Sequence, residues 1–325
     1  MLRAISGHLT PVLIDASRQD QAIAADAVWL DMESPTESER AEAERATGLR
    51  LPTRAEVSEV EVSSRLILDG DVLTLSMPML SRGGMEGLIS APLGIVLCPT
   101  RLVTLRYAPS DVFDHYAAHW QRTEPCGGLR PFLGLLEAMV DRMADGLENE
   151  GAALEKMTGA VFGPEIAQRN PRARDTFLRG TLTEVGRSGE RISHVRDGLL
   201  GALRIVRFVR ENAATWTHGP ETKRLTTLEA DILSLNDYES QLIGKIQFLL
   251  DATLGFISIE QNNSVKTLTV VSVVGIPPTL MAGIYGMNFK IMPELNWKYG
   301  YAYGLGVILL SAVLPWLWFR RRGLV

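Results

Sequence analysis

Few side chains in this sequence have the type and spacing to carry chemistry. Of the five histidines, His8, His115, His119, His194 and His218, only His115 and His119 are related in position, at i and i+4. With no Glu beside them they read as surface or core histidines, not as a triad or metal motif. The two cysteines, Cys98 and Cys126, have no second thiol near either, which excludes a disulfide framework and a Cys-based zinc site. Acidic residues recur between 220 and 266, among them Glu229, Asp231, Asp237, Glu239 and Asp251, and the usual fate of helix carboxylates makes them a solvated face. A different pattern lies further on. Thr269, Ser272, Thr279 and Gly283 fall on one face of a helix, and Val265 and Ile276 complete it. Inside lipid, such a weakly polar stripe either lines a pore or bonds its hydroxyls to its own backbone and helps helices pack.

The rest of the chain must position that stripe. Its 325 residues suffice for about two domains and a core that needs no staples. Charged residues at 22% and hydrophobic ones at 46% exclude bulk disorder and a chain that is mostly membrane. A net charge of -5 gives no basic field for nucleic acid. The N-terminus, with Arg3 and His8, is too short and mixed for a signal peptide.

Residues 1–125 read as an α/β domain. A strand is expected over 27–32, and Ser34-Pro35-Thr36 opens a helix that runs to about Gly48. Strands 60–68 and 71–80 flank Asp69-Gly70, a tight-turn dipeptide, and strands 93–97 and 102–107 flank Cys98-Pro99-Thr100-Arg101. Residues 126–219 form long antiparallel helices, one after Pro131 and one after Pro171. From Pro220 to 266 a stalk helix carries Leu225, Leu228, Ile232, Leu235, Tyr238, Leu242, Ile246 and Leu249 at heptad-like steps, a seam that wants a partner helix. No proline follows until Pro277, so this helix is expected to run on into the apolar region.

No charge occurs between Lys266 and Lys290, nor between Lys298 and Arg320, and each stretch is about the ~20 residues a membrane-spanning helix needs. The expectation is a transmembrane hairpin: a first span at 267–287, a loop at 288–300, a second span at 301–319 and a basic tail at 320–325. Trp297, Tyr299, Tyr301 and Tyr303 border one end, and Trp316, Trp318 and Phe319 the other, as aromatic belts do. Arg320, Arg321 and Arg322 place both termini in the cytoplasm by the positive-inside rule, with the protein in the cell's inner membrane.

Tyr285-Gly286-Met287-Asn288-Phe289, followed by Met292-Pro293-Glu294-Leu295, resembles the signature of the CorA family of divalent-cation channels, whose members carry Gly-Met-Asn at the end of the first of two spans. Trp29-Leu30-Asp31 ahead of Pro35-Thr36, the stretch Glu61-Val62-Ser63-Ser64-Arg65 and the long stalk helix extend the resemblance over nearly the whole chain. It implies a funnel-shaped homopentamer in membrane lipid, five first spans around one pore, and Mg²⁺ as cargo, with Co²⁺ and Ni²⁺ admitted. Gly286, Met287 and Asn288 would then form the selectivity filter. Mg²⁺ gives up water reluctantly, and the Asn288 amide oxygen suits a hydrated ion, while Gly286 leaves its carbonyl accessible. Neutral oxygens bind without trapping.

The resemblance further implies a pore face of Asn262, Val265, Leu268, Thr269, Ser272, Ile276, Thr279 and Gly283, with Asn262 at a polar mouth and Val265, Leu268 and Ile276 as an apolar constriction. Glu294 in the outer loop is offset by Lys290 and Lys298. Family members sense cytoplasmic Mg²⁺ through carboxylates, a site the sequence assigns to no residue here. The function implied is potential-driven influx of divalent cations gated by Mg²⁺, with no enzymatic activity, organic cofactor or nucleic-acid partner. The alternatives are a proton-coupled Zn²⁺ transporter of the ZntB type, which shares the fold, and a membrane-anchored scaffold.

Overall fold

The computed structural model describes residues 2–5, 12–14, 27–59, 65–83, 87–120, 127–287, 293 and 297–323. His8, residues 60–64 of an expected strand, Cys126, Asn288 and Glu294 lie outside them.

The N-terminal strands are β1 (Leu2–Ile5), β2 (Val12–Ile14), β3 (Trp29–Glu33), β4 (Leu66–Asp69), β5 (Val72–Gly83), β6 (Gly87–Leu97) and β7 (Leu102–Arg106). They form one sheet in the order β2-β1-β3-β7-β6-β5-β4, parallel only between β3 and β7. Both expected tight connections are present. Gly70, at φ 59°, turns β4 into β5 with Asp69 opposite Val72, and Leu97 opposes Leu102 across the second. β6 begins at Gly87 and not near Leu93, because its ladder with β5 continues through Ala91 and Ser90 to the Gly83 and Gly87 pair. Ser90, Ala91 and Pro92 hide that extension from an apolar-pattern reading.

Helix α1 (Glu37–Thr47) starts on a reciprocal cap: Thr36 Oγ1 accepts from the Glu39 backbone N–H at 3.2 Å, and Glu39 Oε2 accepts from that of Thr36 at 2.9 Å. It stops at Gly48, whose φ of 70° ends the helix without a Cβ penalty. With the short α2 (Arg54–Val57) following, Ala43 and Leu51 cover Leu30, Met32, Val103 and Leu105 on one sheet face. On β3 and β7 the intervening residues face the other way by strand alternation, and the Trp29 ring meets Phe113 and Tyr116 of α3 (Asp111–His119).

The helical part comprises α4 (Leu129–Phe162), α5 (Pro164–Gln168), α6 (Pro171–Asn212), α7 (Gly219–Tyr285) and α8 (Gly300–Arg321). The chain divides into two compact units. The first is Met1–Phe162 with Leu182–Leu249, and the second is Gly163–Thr181 with Leu250–Val325.

In the first unit α6 approaches β5 closely, and a Cβ at Gly201 would stand 2.8 Å from Met77 Cβ. The heptad-like seam of α7 finds its cover within the chain. Leu225, Leu228, Ile232, Leu242, Ile246 and Leu249 are buried, Tyr238 and Leu242 lie against Gly151 of α4, and Ile246 lies against Gly189 of α6. Most of the seam is thus covered inside one chain, with Leu235 and Tyr238 half-buried. Ion pairs lace these helices: Glu137 with Arg224 at 2.6 and 2.9 Å, Glu150 with Arg191 at 2.5 and 2.9 Å, and Glu155 with Lys245 at 2.8 Å.

Within the second unit Arg174 pairs with Glu260, and α7 and α8 are long and apolar enough to cross a membrane. Helix α7 passes through Pro277 and Pro278 without ending. Those rings remove two N–H donors, freeing the carbonyls of Val273 and Val274 four residues earlier.

Candidate functional site

At 3.6 residues per turn, Asn262, Val265, Leu268, Thr269, Ser272, Ile276, Thr279 and Gly283 fall within an arc of about 120° on α7. Thus one face collects every residue expected on it. These side chains are exposed or half-buried, with Val265, Leu268 and Ile276 at 60, 67 and 63%. Apolar exposure at this level, continued by Leu280, is a surface for lipid or for other helices.

The two threonine hydroxyls on this face are already engaged as donors. Thr269 Oγ1 donates to the Val265 carbonyl at 2.8 Å and Thr279 Oγ1 to that of Gly275 at 2.9 Å. This realises the backbone-bonding alternative for both threonines and still leaves oxygen lone pairs on the face. Ile276, Thr279, Gly283 and Met287 share one shallow groove. At its end the Gly286 N–H bonds back to the carbonyls of Ala282 and Gly283, and that of Met287 to Ile284, closing the helix immediately before Asn288.

Aromatic rings mark both ends of α8. Trp297 and Tyr303 lie 5.5 Å apart at the first, and at the second the Arg320 and Arg322 guanidinium groups sit 5.4 and 4.7 Å from the Trp316 and Trp318 rings. Gly304 in its first turns faces the Tyr285 ring.

Two stalk carboxylates depart from the solvated face expected of them. Glu229 is bound by Arg207 at 2.7 Å and by Arg210, and Arg207, with Arg210 beside it, holds its carboxyl below the usual range. Glu239 is 3% exposed and faces Arg196 at 3.9 Å. Both turn toward α6, whose arginines supply the counter-charge. Asp231, Asp237 and Asp251 are exposed as expected. Among the described residues, no three His, Cys, Asp or Glu side chains converge on a metal site.

Sequence reasoning missed the most buried polar cluster. Arg106 and Asp31 are both fully buried and form a fork, Arg106 Nε and Nη2 lying 3.2 and 3.1 Å from Asp31 Oδ2. Arg106 also reaches Glu33 and Asp114, while Thr104 donates to Asp31 at 2.9 Å and Trp29 Nε1 to Thr104 at 3.0 Å. Burial pushes the Asp31 carboxyl upward, against the pull of Arg106. A signal was available, because Asp31 interrupts the apolar run of β3 and Arg106 ends the apolar run of β7 with the opposite charge.

Comparison with known proteins locates this architecture. Residues 24–321 match the family described as CorA-like Mg²⁺ transporter protein. A magnesium transport protein CorA from Haemophilus influenzae is 33% identical over 307 residues, 94% of each chain. That of Salmonella typhimurium is 31% identical over 299 residues, 91% of this chain and 92% of its own. Among solved structures, the complete CorA magnesium transporter of Methanocaldococcus jannaschii superposes with a TM-score of 0.72 at 17% identity, covering 100% of this chain and 99% of that one. The cytoplasmic domain of ZntB from Vibrio parahaemolyticus gives 0.51 at 12% identity, covering 71% of this chain and 87% of its own, a likeness of fold alone. A sheet-bearing N-terminal domain, long helices, two C-terminal apolar helices and sequence identity along almost the entire length agree: this chain belongs to the CorA-like Mg²⁺ transporter family, a family of ion transporters and not of enzymes.

Proposed function

We propose that this protein is a homopentameric channel for Mg²⁺ influx that also admits Co²⁺ and Ni²⁺ and closes when cytoplasmic Mg²⁺ is high. The observation that carries this reading is the single uncharged, weakly polar face running along the apolar part of α7, which an anchor would not need. Five copies of that face surround one pore, and Gly286, Met287 and Asn288 form its outer filter. The first span is 267–287 and the second 301–319; loop 288–300, with Glu294, lies outside, and the N-terminal domain and residues 320–325 lie in the cytoplasm. The supporting chemistry is that of a hard ion. Mg²⁺ keeps its water, and hydroxyl, amide and carbonyl oxygens accept hydrogen bonds from that water. Cation uptake into proteoliposomes, for Mg²⁺, Co²⁺ and Zn²⁺ side by side, tests this; no flux of any of them would leave only a membrane-anchored scaffold.

Closure is assigned to the apolar girdle of Val265, Leu268 and Ile276, which shuts by excluding water. Leu268→Asp puts a ring of carboxylates there. Uptake by that variant is expected to persist at internal Mg²⁺ concentrations that silence the parent, and unchanged closure would remove Leu268 from the gate.

A proton-coupled zinc carrier needs membrane-embedded Asp, Glu or His, and residues 261–293 contain none. The remaining drive is electrical: a divalent ion gains about 4.6 kcal/mol at 100 mV, twice the ~2.3 per charge. Liposome flux at clamped potential is expected to follow voltage and ignore a pH difference. A several-fold stimulation by inward protons would favour the zinc-type carrier.

A further inference from the structure

The histidine pair on α3 is unused by any pore. His115 and His119 are both exposed, one helical turn apart, with ring centroids 4.1 Å from each other. His119 Nδ1 lies 2.8 Å from the His115 backbone carbonyl. A carbonyl oxygen only accepts, so Nδ1 carries the proton and the lone pair of His119 is on Nε2, directed away from its own helix backbone. This is the arrangement by which metal-binding imidazoles are oriented: one ring nitrogen held by a carbonyl, the other left to the ion. His119 is the last residue of the helix, where the macrodipole favours positive charge.

We propose that His115 and His119 form a two-imidazole chelate for a borderline divalent transition ion such as Ni²⁺ or Zn²⁺. Ligand chemistry sets the class. Imidazole suits these ions, whereas Mg²⁺ demands oxygen, so the pair discriminates against the most abundant divalent cation where a ring of neutral oxygens does not. Two nitrogens from i and i+4 of one helix occupy adjacent positions of the coordination sphere, at ~2.0–2.1 Å for zinc, and water completes the rest. The site is independent of the proposed pore function.

The test uses the full chain without a histidine tag, in detergent micelles, titrated calorimetrically with Ni²⁺ and with Zn²⁺ in a large excess of Mg²⁺, which occupies the oxygen sites. One equivalent per chain is expected to bind despite the Mg²⁺, and affinity is expected to fall at least about tenfold in His115→Ala and in His119→Ala, the lower end of what disturbing a metal's ligand shell costs. Cu²⁺ bound to the parent is expected to show nitrogen couplings in its electron paramagnetic resonance spectrum, and the double variant to lose them. His194→Ala serves as the control and is expected to bind as the parent does. Equal binding by the parent and by the double variant, or no transition-metal binding by the parent under Mg²⁺, would overturn the assignment whatever the outcome of the flux assays.

Discussion

Asn288→Ala is expected to abolish Mg²⁺ uptake while leaving assembly intact. In the proposed pentamer each subunit contributes one amide to a ring that holds the ion through its water shell. A hydrogen bond involving a charged partner contributes about 1.5–3 kcal/mol, and the substitution deletes one from every subunit at once. Every 1.4 kcal/mol is tenfold in occupancy, so the loss from even two such bonds carries flux below detection. In that proposal the amide is asked to bind a hydrated ion and not to hold the fold, so the variant is expected to elute at the parental size on gel filtration. Parental flux from Asn288→Ala would remove the filter role, and loss of the oligomer would show that the residue holds the assembly.

The second large effect concerns stability. Arg106→Ala leaves the fully buried Asp31 carboxylate without its forked partner, and removing one member of a buried pair costs about 3–5 kcal/mol. Against a typical domain stability of about 5–15 kcal/mol, that is enough to depress yield and lower the unfolding midpoint sharply. The double variant Arg106→Met with Asp31→Leu is expected to recover much of the loss, because an apolar pair of similar volume removes the uncompensated charge along with its partner. Thermal unfolding of the single and double variants decides the matter. A single variant as stable as the parent, or a double one no better than the single, would mean that the pair is not what holds β3 to β7.

What the sequence makes legible here follows from where the information is local. The capped helix α1, the turn at Gly70 and the arc of α7 are written in residues close together, so spacing alone discloses them. The Asp31 and Arg106 pair joins positions 75 residues apart, and no local pattern announces that two strands will be parallel neighbours. Glu229 and Glu239 fail for the same reason, since their arginines belong to another helix. Among the expected site residues, those on α7 and its closing turn have a place in the structure, whereas Asn288 and Glu294 rest on the motif that names them.

The engaged hydroxyls of Thr269 and Thr279 bear on which sign of charge the face tolerates. Each has given its proton to a carbonyl one turn back, so toward the face it offers only electron density. A chloride ion beside either threonine would meet oxygen lone pairs and aliphatic carbon, with no hydroxyl proton there to replace the water it sheds. A hydrated cation presents its water protons outward and finds an acceptor at each threonine. A bias against anions can in this way be built into an uncharged stretch of helix, through the direction in which two side-chain protons point.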